Sequence, residues 1–483
     1  MSEAEFPRTR ERLSPETLDH LVSLERAFAR KEPIGIADRG GPDRGARPDF
    51  DVILAGGGLS LVYGAWLARA GLRVAIFDRR KIGCGHREWN ISRAELRPLA
   101  DAGLFPRPEE LIDLEYRQGI VRWHGGGTYR VKGVLDCVVN AERLLDALRA
   151  QAEAAGATLL DFHALASYEL GDGGVLVQLH HEGKTVELTG RLLLDGLGAA
   201  SPHAAFDLCC PTVGGVLSGL ATGAAPDEVD PALGEILVTT EDVEDGRQHI
   251  WEGFPGPGGR FTAYLFYYVE PAGLPEHPLL ELYERFFATR ARYKRGDAKM
   301  DKPTYGFIPA YTRLRPMPAS PRDRVLLVGD AAGRHSPLTF CGFGSMIRSF
   351  LPVARAIVER LSTDRLDRRS LTAAWDEPPG LQVMGGLTLM MVPGRGAARA
   401  PDDINRLLDA AFASLSEMGN EVYAAFVRDQ IGFRDFITFM RKTAARRPTI
   451  YDEVFAVLSR GEIAKWSWRL ARLGMTQWKS SGE

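Results

Sequence analysis

Three consecutive glycines, Gly56-Gly57-Gly58, separate an apolar run from a helix-like apolar stretch, and an acid, Asp78, stands 20 residues beyond the last of them. Backbone without side chains can approach a pyrophosphate closely. A helix that starts there turns free N–H groups and the positive end of its dipole toward the phosphates. A carboxylate about 20 residues on is placed to hold ribose hydroxyls. Together these residues point to a dinucleotide site, with Arg79 beside Asp78 on the same expected surface. The third glycine of the GxGxxG spacing is replaced by Leu61, so tight strand–helix packing must come from another residue. Gly64, one turn later, stands where it can supply it.

Three further clusters carry chemistry. One is Val325-Leu-Leu-Val-Gly329-Asp330-Ala-Ala-Gly333, followed by Pro337, Gly342 and Gly344 ahead of a helix expected from about 343 to 361. The second is Asp195-Gly196-x-Gly198-x-x-Ser201-Pro202. The third is Trp251-Glu252-Gly-Phe254-Pro255, close to the aromatic residues Tyr264, Phe266, Tyr267 and Tyr268. A carboxyl in apolar surroundings keeps its proton near pH 7 and can act as an acid, so Glu252 is the candidate proton donor. Its other reading is a strand-face glutamate in solvent or a salt bridge. In Arg87-Glu88-Trp89-Asn90-Ile91-Ser92, Arg87 is a candidate cofactor contact and Ser92 opens a capping box with Glu95.

These residues need elements to hold them. Phe50–Ala55 reads as a buried parallel strand, about 59–70 as a helix ended by Gly71, and Leu72–Phe77 as a second buried strand: a βαβ unit. Before it, Ser14-Pro15 starts a helix and the Gly/Pro/Arg-rich stretch 40–48 is a linker, so the first 48 residues read as an appendage to the nucleotide domain. Asn140 is the expected cap of the next helix. From 161 to about 270 apolar and polar residues alternate, the pattern of antiparallel sheet, and beyond 400 the chain turns helical and amphipathic. The expected class is α/β: a Rossmann-type domain over 49–160 and 300–365, an inserted, mostly antiparallel substrate domain over 161–299, and a helical region over 366–483.

The 483 residues, 45% hydrophobic and 25% charged, allow two or three packed domains. A net charge of −3 gives no footprint for nucleic acid. The N-terminal residues lack an apolar signal core, and no run approaches the roughly 20 apolar residues of a membrane span. A cytoplasmic location is expected. Lys465, Trp466, Trp468, Arg469 and Arg472 make a basic, Trp-bearing helix that suits either peripheral membrane contact or packing with solvated charges. The five cysteines (Cys84, Cys137, Cys209, Cys210 and Cys341) show no CxxC spacing; they read as buried thiols, with no metal site expected.

The Gly329-Asp330 segment resembles the GD motif of FAD enzymes of the hydroxylase and isoprenoid-reductase type, and Asp195-Gly196-x-Gly198 their middle DG motif. In that group the GD aspartate contacts the ribityl hydroxyls and the next helix points at the flavin. The resemblance makes the cofactor FAD rather than NAD. It implies cofactor contacts from Gly56, Gly57, Gly58, Asp78, Arg79, Arg87, Asp195, Gly329, Asp330, Pro337, Gly342 and Gly344. Arg87–Ser92, Gly329–Gly344 and the Trp251–Pro255 segment look like the lycopene cyclases of green sulfur bacteria and cyanobacteria and their plastid paralogue, over about 50–350. That resemblance implies a redox-neutral ring closure: Glu252 protonates a terminal double bond, reduced FAD steadies the cation, and Trp251, Phe254 and Phe266 line the hydrophobic substrate. The alternatives are an NAD(P)H-dependent flavin monooxygenase or prenyl-chain reductase, and a non-catalytic paralogue that binds FAD and a lipid. A halogenase-type WxWxIP segment is absent from the sequence. The glycine reading predicts that Gly58→Val, which puts a branched side chain where the pyrophosphate is expected, abolishes FAD uptake by the purified apoprotein. Flavin absorbance after reconstitution checks this, and wild-type loading would refute it.

Overall fold

The computed structural model describes residues 5–30, 34–85, 89–312, 314, 319–339, 341–375, 379–395 and 399–480. Phe50–Ala55, buried from Val52 onward, is a central strand of an eight-stranded sheet. Val74–Phe77 pairs with it in parallel on one side and the end of Lys184–Asp195 on the other. Thr158–Leu160 extends the first side, and Val325–Leu327 pairs with the end of Lys184–Asp195. Continuous apolar runs suit these strands because both faces of a parallel sheet are covered.

The expected partition of the chain changes here. Ala164–Leu170 and Val175–His181 form an antiparallel ribbon with Lys184–Asp195, inside the nucleotide sheet rather than in an inserted domain. The reason lies in one 12-residue strand whose first half alternates, while Leu192, Leu193 and Leu194 are all buried and join the parallel core.

The second sheet has seven strands, in the order Gly296–Ala310, Leu208–Leu220, Phe261–Phe266, Ile250–Pro255, Leu233–Val238, Gln118–Arg122 and Thr128–Val131. Residues 118–131 and 296–310 therefore belong to it. Strand alternation gives it two apolar faces. Trp251, Phe261, Ala263 and Leu265 pack with the helix Pro278–Tyr293. Phe254, Phe266 and Tyr268 pack with the C-terminal helices, among them Asp403–Met418, Asn420–Val427 and Phe433–Arg446.

The N-terminal helices Pro7–Arg12 and Pro15–Arg30 dock on the Pro278–Tyr293 layer through Leu13 and Leu21. Buried Glu25 accepts the Leu279 and Leu280 N–H groups at 2.7 and 3.2 Å, which satisfies donors at the start of that helix. The two helices of the first 48 residues cover the second sheet, while Gly35–Ala37 pairs with the edge of the nucleotide sheet and Gly41 and Pro42 bond to Leu170 and Gly173 beside it. Asn140 caps its helix through the Arg143 N–H at 2.8 Å, as its position predicts. Cys84 is exposed while the other four cysteines are buried. Among the described residues no helix is long and apolar enough to cross a membrane.

Candidate functional site

Strand register builds the site. Ala55 pairs with Asp195, and Asp195 with Leu327, so three parallel strands end level and their following turns lie along one sheet edge. At the first turn Gly56 holds φ +105, and a Cβ there would stand 2.7 Å from the Gly196 carbonyl oxygen. A Cβ at Gly57 would meet Ile82 at 2.8–3.0 Å, whereas one at Gly58 would meet nothing within 4 Å. Gly58 thus opens onto free space while its two neighbours are packed. Gly57 donates its N–H to Asp78 Oδ2 at 2.8 Å, and Arg80 donates to Oδ1 at 2.9 Å. Asp78 is half-buried and Arg79 exposed. Leu61 is buried, and Gly64 makes the close approach: its Cβ would lie 2.5 Å from Ile76 Cδ1.

At the second turn Asp195 is 2% exposed. Its carboxylate accepts the Leu197 N–H at 3.0 Å and the Ser201 hydroxyl at 2.6 Å, and burial raises its pKa while those bonds oppose the rise. The side chain expected at the cofactor therefore folds the turn from within. Gly198 (φ +61) is the residue that meets Asp330, with its Cβ position 3.7 Å from Asp330 Cβ. The DG-x-G spacing held that signal.

The third turn carries Gly329 (φ +59) and an exposed Asp330. Asp330 is steadied from behind, since Tyr311 donates its hydroxyl to the Asp330 carbonyl at 3.0 Å. A Cβ at Gly342 would stand 3.7 Å from Asp330 Oδ1, and buried His335 holds Nδ1 3.5 Å from the same oxygen. Gly198, Asp330, His335 and Gly342 thus gather at one place, with Pro337 buried in the loop between. Gly344 does something else. A Cβ there would stand 2.6 Å from Glu95 Oε1, so this glycine makes room for a buried carboxylate.

The motif shows that carboxylate only as the end of a capping box; its distant partner leaves no sequence signal. Glu95 closes the capping box, accepting the Ser92 hydroxyl at 2.7 Å, and also pairs with Arg348 on the helix Gly342–Ser362. Burial pulls Arg348 down to about 10, with the Asp429 carboxylate pulling the other way. Trp89 stacks on Phe343 with ring centroids 5.1 Å apart. The strand and turn over 89–96 are therefore fastened to the first turns of that helix. Arg87 and Glu88 lie outside the described residues.

Glu252 pairs in register with Tyr264 and is half-buried, on the sheet face that also carries Phe254 and Phe266. Burial first pushes up both the Tyr268 hydroxyl and the Cys341 thiol; Cys210 and Asp429 respectively come next, and the Glu252 charge adds to both, which places Glu252 near the loop ahead of Gly342. Tyr268 donates to the Leu338 carbonyl of that loop at 3.2 Å. Trp251 lies on the other face. It is 0% exposed and stacks on Tyr293 at 4.6 Å, so it backs the strand rather than lining a space beside Glu252. Alternation along a strand forces the two apart.

No protein-family model matches the chain, and no curated protein matches it. Solved structures do. A geranylgeranyl bacteriochlorophyll reductase-like protein from Thermoplasma acidophilum superposes with a TM-score of 0.59 at 14% identity, over 85% of this chain and 99% of that one. The halogenase PltM with FAD gives 0.57 at 15% identity, over 89% and 92%. A flavoprotein/dehydrogenase from Cytophaga hutchinsonii gives 0.55 at 13%, over 86% and 98%. The chain shares the Rossmann-type α/β fold of these structures. The Glu95–Arg348 pair predicts that Arg348→Ala, which strands a buried carboxylate, costs about 3 kcal/mol of stability, and that adding Glu95→Gln recovers part of it. Denaturant unfolding of the single and double variants checks both halves.

Proposed function

We propose that the protein is an FAD-dependent enzyme acting on a hydrophobic, isoprenoid-class substrate. The level glycine turns carry this reading: open space over Gly58 at one end and an exposed Asp330 carboxylate beside Gly198 and Gly342 at the other. Such a row suits a ligand with a pyrophosphate and a polyhydroxyl chain. Gly56, Gly57, Gly58 and the start of the helix Leu61–Arg69 would hold the pyrophosphate, Asp78 and Arg79 the adenosine side, and Gly329, Asp330 and Gly342 the ribityl side. FAD supplies a ring that gives or takes electrons. That the halogenase PltM has been crystallised with FAD on a similar fold supports the choice.

Within this reading the reaction is a lycopene-cyclase-like ring closure with the cofactor reduced. Glu252 gives a proton to a terminal double bond, an internal double bond closes on the cation, and a proton leaves a ring carbon, so no electrons are consumed. Phe254 and Phe266, on the same face as Glu252, keep water from the cation, and Trp251 stiffens the strand from behind. The second reading is a prenyl-chain reductase. The Thermoplasma reductase-like fold favours it. NAD(P)H would then be consumed as a double bond is saturated, with Glu252 giving the proton.

A lipid substrate has to be collected from a membrane, and the C-terminal helix Arg460–Ser480 offers a surface for peripheral contact. Trp468 and Met475 are 64% and 48% exposed, seven residues apart and therefore on one face, beside exposed Lys465 and Arg472. Trp466 and Leu473 pack inward. Sedimentation with vesicles containing anionic lipid should pull down the protein, and Trp468→Ala with Lys465→Glu should release it; equal sedimentation of wild type and variant would discard the surface.

Glu252→Gln keeps shape and hydrogen-bonding reach but removes the transferable proton. It should bind FAD normally and lose about 10²–10⁴-fold of turnover. Anaerobic incubation of reduced protein with lycopene, with products separated by chromatography and flavin content measured on the same sample, checks this. Near-wild-type turnover rules Glu252 out as the acid, and stoichiometric NAD(P)H loss decides for the reductase.

A further inference from the structure

The loop between the Gly329 turn and the helix Gly342–Ser362 has no regular structure over its described residues 334–339 and 341. Yet it carries His335 and delivers the start of that helix to Asp330. Its grip comes from far along the chain. Asp429 follows the helix Asn420–Val427, is 1% exposed, and holds φ +64, a conformation that aspartate tolerates better than most residues. Both its carboxylate oxygens go to this loop: Oδ2 accepts the Ser336 N–H at 2.9 Å and Oδ1 the Thr339 hydroxyl at 3.3 Å.

The neighbouring residue grips the helix itself. The Arg428 carbonyl accepts a hydrogen bond from Arg348 at 2.9 Å, and Arg348 is the partner of Glu95. Two consecutive residues of the C-terminal region thus hold the loop and the helix it leads into. A buried carboxylate is costly unless it is hydrogen-bonded. Burial raises the Asp429 pKa, and the Ser336 N–H and the charges of Arg348 and His335 act against the rise. The cost of burying this group is offset at the loop, so the loop and the carboxylate stabilise each other.

We infer that Asp429 is a positioning residue: by holding Ser336 and Thr339 it fixes the loop that sets Asp330, His335 and the start of the helix Gly342–Ser362 to receive the cofactor. The ligand half of this inference rests on the FAD reading; the structural half does not. Asn accepts the same left-handed backbone, so Asp429→Asn removes the charge and one acceptor without straining the chain.

Amide exchange on the full-length protein without cofactor tests the lock directly. Ser336 should exchange about 10- to 100-fold faster in Asp429→Asn, as loss of a charge-assisted hydrogen bond implies. FAD titration of the same sample should show about tenfold or more weaker binding, and the midpoint potential of the flavin that binds should shift, which lost stability alone would not do. Gly58→Val is the control: FAD is lost while Ser336 protection stays. Unchanged Ser336 exchange in a folded Asp429→Asn overturns the inference, as does faster exchange with wild-type FAD affinity and potential. If wild-type protein takes up no FAD, the cofactor reading fails and the exchange result still judges the lock. If Asp429→Asn does not fold, Thr339→Val removes one of the two bonds, and unchanged exchange at Ser336 in that variant is the overturning result.

Discussion

Three parallel strands that end at the same level govern this molecule. Ala55, Asp195 and Leu327 are register partners, so the chain must leave the sheet edge three times side by side. There is no room for three ordinary turns. Gly56 approaches the Gly196 carbonyl so closely that a methyl group would overlap it, and Gly198 and Gly329 take left-handed conformations. The crowding that demands glycine also strips the edge of side chains, leaving a strip of bare backbone at the carboxyl end of a parallel sheet. That is where α/β folds bind nucleotides, for the same geometric reason.

The second sheet depends on this edge at one remove. Its two faces are assigned by alternation, and each has its own cover: N-terminal helices and Pro278–Tyr293 on one side, C-terminal helices on the other. Trp251 and Glu252 are neighbours in sequence and strangers in space. Only the face with Glu252 turns toward the loop that joins Asp330 to the helix Gly342–Ser362, through Tyr268 and Leu338. The proposed chemistry accordingly uses Glu252, Phe254 and Phe266, while Trp251 and Tyr293 stack on the opposite face of that strand.

The βαβ unit was legible because every part of its signal is local: the apolar runs, the glycines, Gly64 one turn after Leu61, and Asp78 at its spacing. Caps at Asn140 and Ser92 were legible for the same reason. The division into domains was not. Alternation in 164–190 looks alike whichever sheet the strands join, and only the three buried leucines at 192–194 show that the strand continues into the parallel core. Asp195 shows a different limit. A motif gives the position of an acid without its direction, and here the carboxylate turns inward to Ser201 while Gly198 faces the cleft. The Gly342-x-Gly344 pattern suggests a cofactor glycine at 344, but the neighbour of Gly344 is Glu95, whose partner Arg348 lies far off in the chain and leaves no pattern near residue 95.

The two helices that start at the glycine edge explain why distant residues had to be recruited. Ser60 begins the helix Leu61–Arg69 without capping it, since its hydroxyl goes back to the Gly56 carbonyl, and Cys341 begins the helix Gly342–Ser362 with no side-chain cap. That is common among the described helices: Pro278–Tyr293, Asp403–Met418, Asn420–Val427 and Phe433–Arg446 also start without a side-chain cap, while Asn140 and Asp367 supply one. A side-chain cap at either helix would occupy its first N–H groups; without one they stay open, as the proposed cofactor would require. An uncapped start gives up about 1 kcal/mol of local support, and that support has to come from outside the first turn. At the first helix it comes from the parallel sheet packed against Gly64. At the second, which follows an irregular loop, part of it comes from the strand Trp89–Ile91, whose Trp89 stacks on Phe343. Glu95, Arg348 and the Arg428–Asp429 pair add buried polar contacts that hold the helix and the loop ahead of it.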